Sequence, residues 1–114
     1  MSDAAPTDCI VVLVTVSSAD EGERIAGPLV TEQLAACVNM LGPIRSLYRW
    51  DGQLQRDEEF LLIVKTRAAL FPELATRVRM LHSYETPEVI ALPISAGSPP
   101  YLEWLRTATR IPKA

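Results

Sequence analysis

Ile10 to Val16 reads Ile-Val-Val-Leu-Val-Thr-Val, a β-branched run of strand length that is apolar on both faces. That pattern belongs to a strand in the interior of a sheet. Ser18 then stands three residues before Glu21, with Asp20 between them. This capping-box spacing, with negative charge in the first turn, places a helix start near Ala19. Ile25, Ala26, Leu29, Val30 and Leu34 follow at steps of three and four, which predicts one apolar stripe ending near Ala36. Gly27-Pro28 interrupts the stripe. A proline there removes one amide bond and crowds the Arg24 carbonyl, so a kink is expected.

Val38 to Trp50 and Gln53 to Thr66 are extended stretches on either side of Asp51-Gly52, a strong signal for a tight antiparallel hairpin. Alternation puts Ser46, Tyr48 and Trp50 on one face and Arg45, Leu47 and Arg49 on the other. Gly42-Pro43 marks a bend or bulge in the outgoing arm. Leu70, Phe71, Leu74, Val78 and Leu81 step at helical spacing, with Pro72 tolerated in the first turn. Pro87 to Ser95 predicts a fourth strand, and Pro93 within it argues for an edge or a bulge. Pro99-Pro100 opens a short helix bearing Tyr101, Trp104 and Leu105.

The order β-α-β-β-α-β with an added C-terminal helix predicts an α+β, ferredoxin-like sandwich with an extended hairpin between its second and third strands. One domain over residues 8–110 is expected, between a flexible N-terminus at 1–7 and a tail at 111–114. An arm of about 13 residues spans roughly 43 Å, against a diameter of roughly 34 Å for a compact chain of this length. Either the hairpin overhangs its own domain or it folds back at Gly42-Pro43. An overhang leaves strand edges that need another subunit.

The 114 residues, with 48% apolar and 22% charged side chains, suit one soluble domain, and no apolar run reaches the length that crosses a bilayer. A net charge of −3 gives no general attraction to nucleic acid or to an anionic membrane. The first seven residues lack a secretory layout, so the cytoplasm is expected. Cys9 and Cys37 are expected to be reduced thiols.

A single histidine, His82, excludes any site that needs two rings from one chain. No nucleophile elbow or phosphate-binding glycine loop occurs, so no catalytic residue and no required cofactor is assigned. Asp57, Glu58 and Glu59 read as a charge-laced strand edge, with Asp57 and Glu59 on the same face. Cys37 and His82 are the soft and borderline donors for a metal. Each has a structural role open to it as well: Cys37 as a core thiol at the helix exit, His82 as a cap at the end of the second helix.

Leu34-Ala35-Ala36-Cys37-Val38-Asn39, Ser46-Leu47-Tyr48-Arg49-Trp50-Asp51-Gly52, Lys65-Thr66, His82-Ser83-Tyr84-Glu85-Thr86-Pro87-Glu88 and Tyr101-Leu102-Glu103-Trp104 resemble, in order and at its spacings, the CutA divalent-cation-tolerance family. The resemblance spans about Ile10 to Arg110. It implies a tight homotrimer whose hairpins (Arg45, Tyr48, Arg49, Trp50) join sheets between subunits, and a fold related to the PII signalling proteins. It also implies a non-enzymatic role in tolerance to divalent metals, copper above all; animal members are linked instead to anchoring of a cholinesterase. Carried over by position, Cys37, Trp50, Lys65, His82, Tyr84, Glu88 and Trp104 are expected around clefts between subunits. Three departures stand out. Val14 and Leu81 occupy places where metal-binding members carry Cys and His, Ser83 replaces a proline, and Gly27-Pro28 replaces helix formers.

Two functions follow as expectations. One is a trimer of metal response, with copper or another divalent ion held weakly by His82 and Cys37 at the clefts. The other is a PII-like signalling or scaffold trimer that takes a small anion or a protein partner through Lys65, Tyr84 and Glu88.

Overall fold

The computed structural model describes residues 7–113. The elements run β1 (Cys9–Val16), α1 (Ala19–Thr31), β2 (Cys37–Trp50), β3 (Gln53–Arg67), a 3-10 turn (Ala68–Leu70) leading into α2 (Phe71–Leu81), β4 (Val89–Pro93) and α3 (Pro99–Thr107). The sheet order is β2-β3-β1-β4, and every neighbouring pair is antiparallel. The doubly apolar β1 lies inside the sheet, and Pro93 ends an edge strand that it can occupy without disrupting a ladder.

α1 begins at the expected cap, with the Glu21 amide donating to Ser18 Oγ at 3.1 Å, while the Glu21 side chain accepts the amide of Ser17 rather than that of Ser18. Its end differs from the expected one. The helix runs through Pro28 as one element and stops at Thr31, because Gln33 adopts φ 61° and the amides of Leu34 and Ala35 both turn back to the Leu29 carbonyl. Leu34, Ala35 and Ala36 are still buried. Their apolar spacing records burial under the sheet, not a continuing helix.

One face of the sheet packs on α1 and α2. Val12, Val14, Val16, Leu62 and Val64 meet Ile25, Leu29, Leu74 and Val78, all of them buried. Each contributes on the order of 2 kcal/mol of transfer free energy. Among the described residues the opposite face is covered at one end, where Leu102 and Leu105 of α3 bury Cys9 and Ala36. Cross-strand register puts Val11, Leu13, Leu41, Leu61, Ile63, Ile90 and Leu92 together on the rest of that face. Leu41, Ile90 and Leu92 are about half exposed.

β1 reaches only to the level of Phe60. From there outward Ile44–Trp50 and Gln53–Glu59 pair with each other alone, so the hairpin overhangs its domain. The long dimension is 48 Å against 25 Å for the shortest. Asp51 and Gly52 both have positive φ (56° and 73°), the tight-turn geometry that matches strand twist. The arm also bends, since the register slips between Leu41 and Ile44.

The flexible N-terminus expected at 1–7 falls, for residues 1–6, outside the described residues. Thr7 hydrogen-bonds the Ile94 carbonyl. In the expected tail, the Lys113 amide donates to Glu73 Oε2 at 3.1 Å.

Candidate functional site: a carboxylate and aromatic groove under the hairpin

The chain between α2 and β4 crosses the end of β1 and faces the overhanging hairpin. A groove of about 700 Å³ opens between them, lined among others by Arg45, Tyr48, Trp50, Glu59, Tyr84 and Glu88. Glu59 lies at its floor and is only 6% exposed. Tyr84 Oη donates to Glu59 Oε2 at 3.0 Å. Burial, together with that bond to a carboxylate, pushes the Tyr84 phenol well above its ordinary value, so it stays a donor at any physiological pH. Tyr48 donates in the same way to Asp57. The expectation that Glu59 is part of a solvated charge edge is corrected: it shares a face with Leu61 and Ile63 and is drawn inside.

Behind the groove wall lies a second buried carboxylate, Glu21, which is 2% exposed. Glu21 Oε1 accepts from the Ser17 amide at 3.0 Å and from Ser17 Oγ at 2.8 Å. Glu21 Oε2 accepts the Ser83 amide at 2.7 Å. Burial alone would raise this carboxyl, but the hydrogen bonds from Ser83 and Ser17 outweigh it and bring it down to about 2.

His82 is buried beside Glu21. Its Nδ1 accepts the Tyr84 amide at 3.0 Å, and Nε2 lies 2.7 Å from the Thr15 carbonyl. Since Nδ1 is the acceptor, the proton sits on Nε2 and is donated to Thr15. Both ring nitrogens are therefore taken by backbone groups, and Glu21 Oε2 stands a further 3.6 Å from Nδ1. A metal at either nitrogen would have to break one of these bonds. The capping role is made by the backbone: the His82 amide closes on the Val78 carbonyl at 2.9 Å.

Cys37 is not in the core, as the thiol at a helix exit was read to be; Cys9 is the buried one, and both are free. Cys37 begins β2 opposite Lys65 on the incompletely covered face. Its Sγ is 3.8 Å from Asn39 Oδ1, to which Lys65 Nζ also donates. Thr15 pairs with Leu61, four residues along β3 from Lys65. Cys37 thus lies on the order of 13 Å along the strand from the level of His82. Among the described residues no group of three or more His, Cys, Asp or Glu side chains is arranged to hold a metal ion. Of the expected cleft residues, Trp50, Tyr84 and Glu88 meet at the groove, and Cys37 with Lys65 forms a separate pair. Trp104 stacks near Tyr101 on α3, with ring centroids 5.4 Å apart.

Glu21 and Glu59 were absent from the expected site. A signal existed for each: the capping box for Glu21, and for Glu59 its two-residue step from Leu61 and Ile63.

A ferredoxin-like domain with an overhanging hairpin, a partly uncovered apolar sheet face and a groove built from carboxylates and aromatic rings defines the class of this small α+β protein. The chain matches the CutA1 divalent ion tolerance protein family over residues 10–108 and belongs to it. It is 50% identical over 99 residues to the divalent-cation tolerance protein CutA of Thermus thermophilus, covering 87% of this chain and 96% of that one. It is 49% identical over 109 residues to the chloroplastic protein CutA 1 of Oryza sativa, covering 96% of this chain and 62% of the relative. This chain therefore spans about three fifths of that plant protein's length. The crystal structure of CutA1 from Oryza sativa superposes with a TM-score of 0.89 at 50% identity, over 92% of this chain and 96% of that one. The family is described by tolerance of divalent cations rather than by a reaction. Among the described residues no helix is long and apolar enough to cross a membrane.

Proposed function

We propose that this chain works as a non-catalytic homotrimer in the response to divalent cations, copper among them. The observation that supports assembly above all is the part of the apolar sheet face that α3 leaves uncovered among the described residues. It carries Leu13, Leu41, Leu61, Ile63, Ile90 and Leu92, and a contiguous apolar surface of that kind on a soluble protein marks an interface. The two sheet edges, β2 and β4, differ from each other, so pairing one with the other between copies runs head to tail, the arrangement that forms a ring when the rotation between copies closes. Light scattering is expected to give a mass near three times 12.6 kDa; a monomer at micromolar concentration overturns the proposal.

For the metal itself, Cys37 is the donor favoured by geometry, because its thiol is free and partly exposed while the His82 nitrogens are occupied. Threefold assembly multiplies that single thiol. The free cysteines also suit a reducing compartment such as the cytoplasm, which fractionation with an antibody to the protein tests. A signalling trimer that takes a small anion is less well supported, since Glu59, Glu85 and Glu88 face the groove against one base, Arg45.

A further inference from the structure

We infer that Glu59 is the receptor for a guanidinium brought by a second copy of this chain, with the Arg49 and Arg56 face of one hairpin docking in the groove of the next subunit. This rests on the homotrimer proposed above and names the contact that orients it.

Glu59 is a buried carboxylate whose hydrogen-bond donor is one neutral phenol, Tyr84. Among the described residues it takes part in no ion pair. A carboxylate removed from water needs an opposite charge or several donors to offset its lost hydration. Glu85 and Glu88 line the same groove and form no ion pair either among those residues. The groove thus carries three carboxylates against the single base Arg45, beside aromatic rings, a surface that suits a planar guanidinium with its fork of donors.

The complementary surface is on the same molecule. Leu47 pairs with Arg56 and Arg49 with Leu54, so Arg49 and Arg56 are diagonal neighbours on the hairpin face opposite Tyr48 and Trp50. Both arginines are exposed and neither forms an ion pair among the described residues. Leu54 beside them is 60% exposed, and Leu47 between the two sides also borders the groove. Each hairpin therefore presents a cationic, apolar surface on one side and an anionic, aromatic groove on the other. With donor and acceptor on opposite faces, copies stack head to tail, as a closed ring of three requires. Among the described residues neither Glu59 nor the arginine pair finds an ion-pair partner within its own chain.

The test is a double-mutant cycle on trimer dissociation, followed by light scattering and sedimentation over a dilution series. Glu59→Gln alone, and Arg49→Gln with Arg56→Gln alone, are each expected to weaken assembly by about tenfold or more. The triple variant is expected to be little weaker than either, because the paired groups leave together. Circular dichroism checks that each variant keeps its secondary structure. If a variant loses it, the charge swap of Glu59→Arg with Arg49→Glu and Arg56→Glu is scored for recovered assembly. Additive losses, or wild-type dissociation in both arms, overturn the inference while leaving the trimer in place. A wild-type protein that is monomeric throughout overturns the homotrimer itself.

Discussion

Glu21 accepts the backbone amide of Ser83 at 2.7 Å through a carboxylate that is almost fully buried. That one bond ties the first turn of α1 to the start of the segment that forms the groove wall. Replacing Glu21 with Ala leaves the Ser17 and Ser83 amides without their acceptor. The expected loss is about 3 kcal/mol, the range for a buried charge-assisted bond plus an unsatisfied donor. Urea unfolding at fixed protein concentration measures it, and a change below about 0.5 kcal/mol, the size of an ordinary surface substitution, would contradict the assignment.

The same carboxylate makes stability depend on acid. Its folded value of about 2 lies below its ordinary 4.5, so the folded state holds the ionised form preferentially. The stabilisation is complete above pH 4.5 and is lost as the pH falls from there through 2. Its size is on the order of 3 kcal/mol. Thermal midpoints recorded across that window should fall more steeply for wild type than for Glu21→Gln, which has no carboxyl to protonate. Parallel curves would remove Glu21 as the cause.

Thr66 is fully buried in β3 and donates to the Leu34 carbonyl at 2.6 Å. Its hydroxyl joins the sheet to the loop that leaves α1. Thr66→Val keeps the shape but strands that carbonyl, and a loss of about 1–3 kcal/mol is expected by calorimetry.

Copper titration by calorimetry, with Cu(I) kept reduced and with Cu(II), separates the two candidate donors. Cys37→Ser is expected to reduce binding at least tenfold. His82→Ala is expected to leave the affinity unchanged while lowering stability, because it vacates the bonds to Thr15 and Tyr84. Binding that follows His82 instead would mean that the ring gives up a backbone partner to the metal.

Leu29→Ala removes a fully buried side chain from the contact between α1 and the sheet. A loss of about 2–5 kcal/mol follows for a core leucine. Unchanged stability would place the core elsewhere.

Local signals in the chain carried most of the architecture. The doubly apolar run Ile10 to Val16, the Ser18 cap, the Asp51-Gly52 turn and the leucine steps before His82 each appear as the expected element, because neighbouring residues decide them. The end of α1 escaped, since Gln33 takes a left-handed conformation that no composition rule flags, and Leu34 to Ala36 stay buried without being helical. Whether the hairpin overhangs or folds back also escaped: both satisfy the same alternation, and only the length of β1 against β3 decides. At the site, Trp50, Tyr84 and Glu88 were legible as candidates. Glu21 read as part of a helix cap and Glu59 as part of a charged strand edge, because burial of a carboxylate depends on which distant backbone or phenol meets it.

The amino-acid order by itself determined the strands, the helices and the tight turn. These rest on periods of two and about 3.6 residues and on turn residues that act over a few positions. Tertiary structure alone decided that His82 spends both nitrogens on backbone groups, that Cys37 lies out on the sheet face rather than in the core, and that Glu59 is drawn inward facing a groove. Apart from the local bond between His82 Nδ1 and the Tyr84 amide, those outcomes depend on contacts between distant segments, such as the 25 residues between Glu59 and Tyr84 and the 67 between Thr15 and His82, where desolvation and hydrogen-bond geometry outweigh the preferences of any single residue.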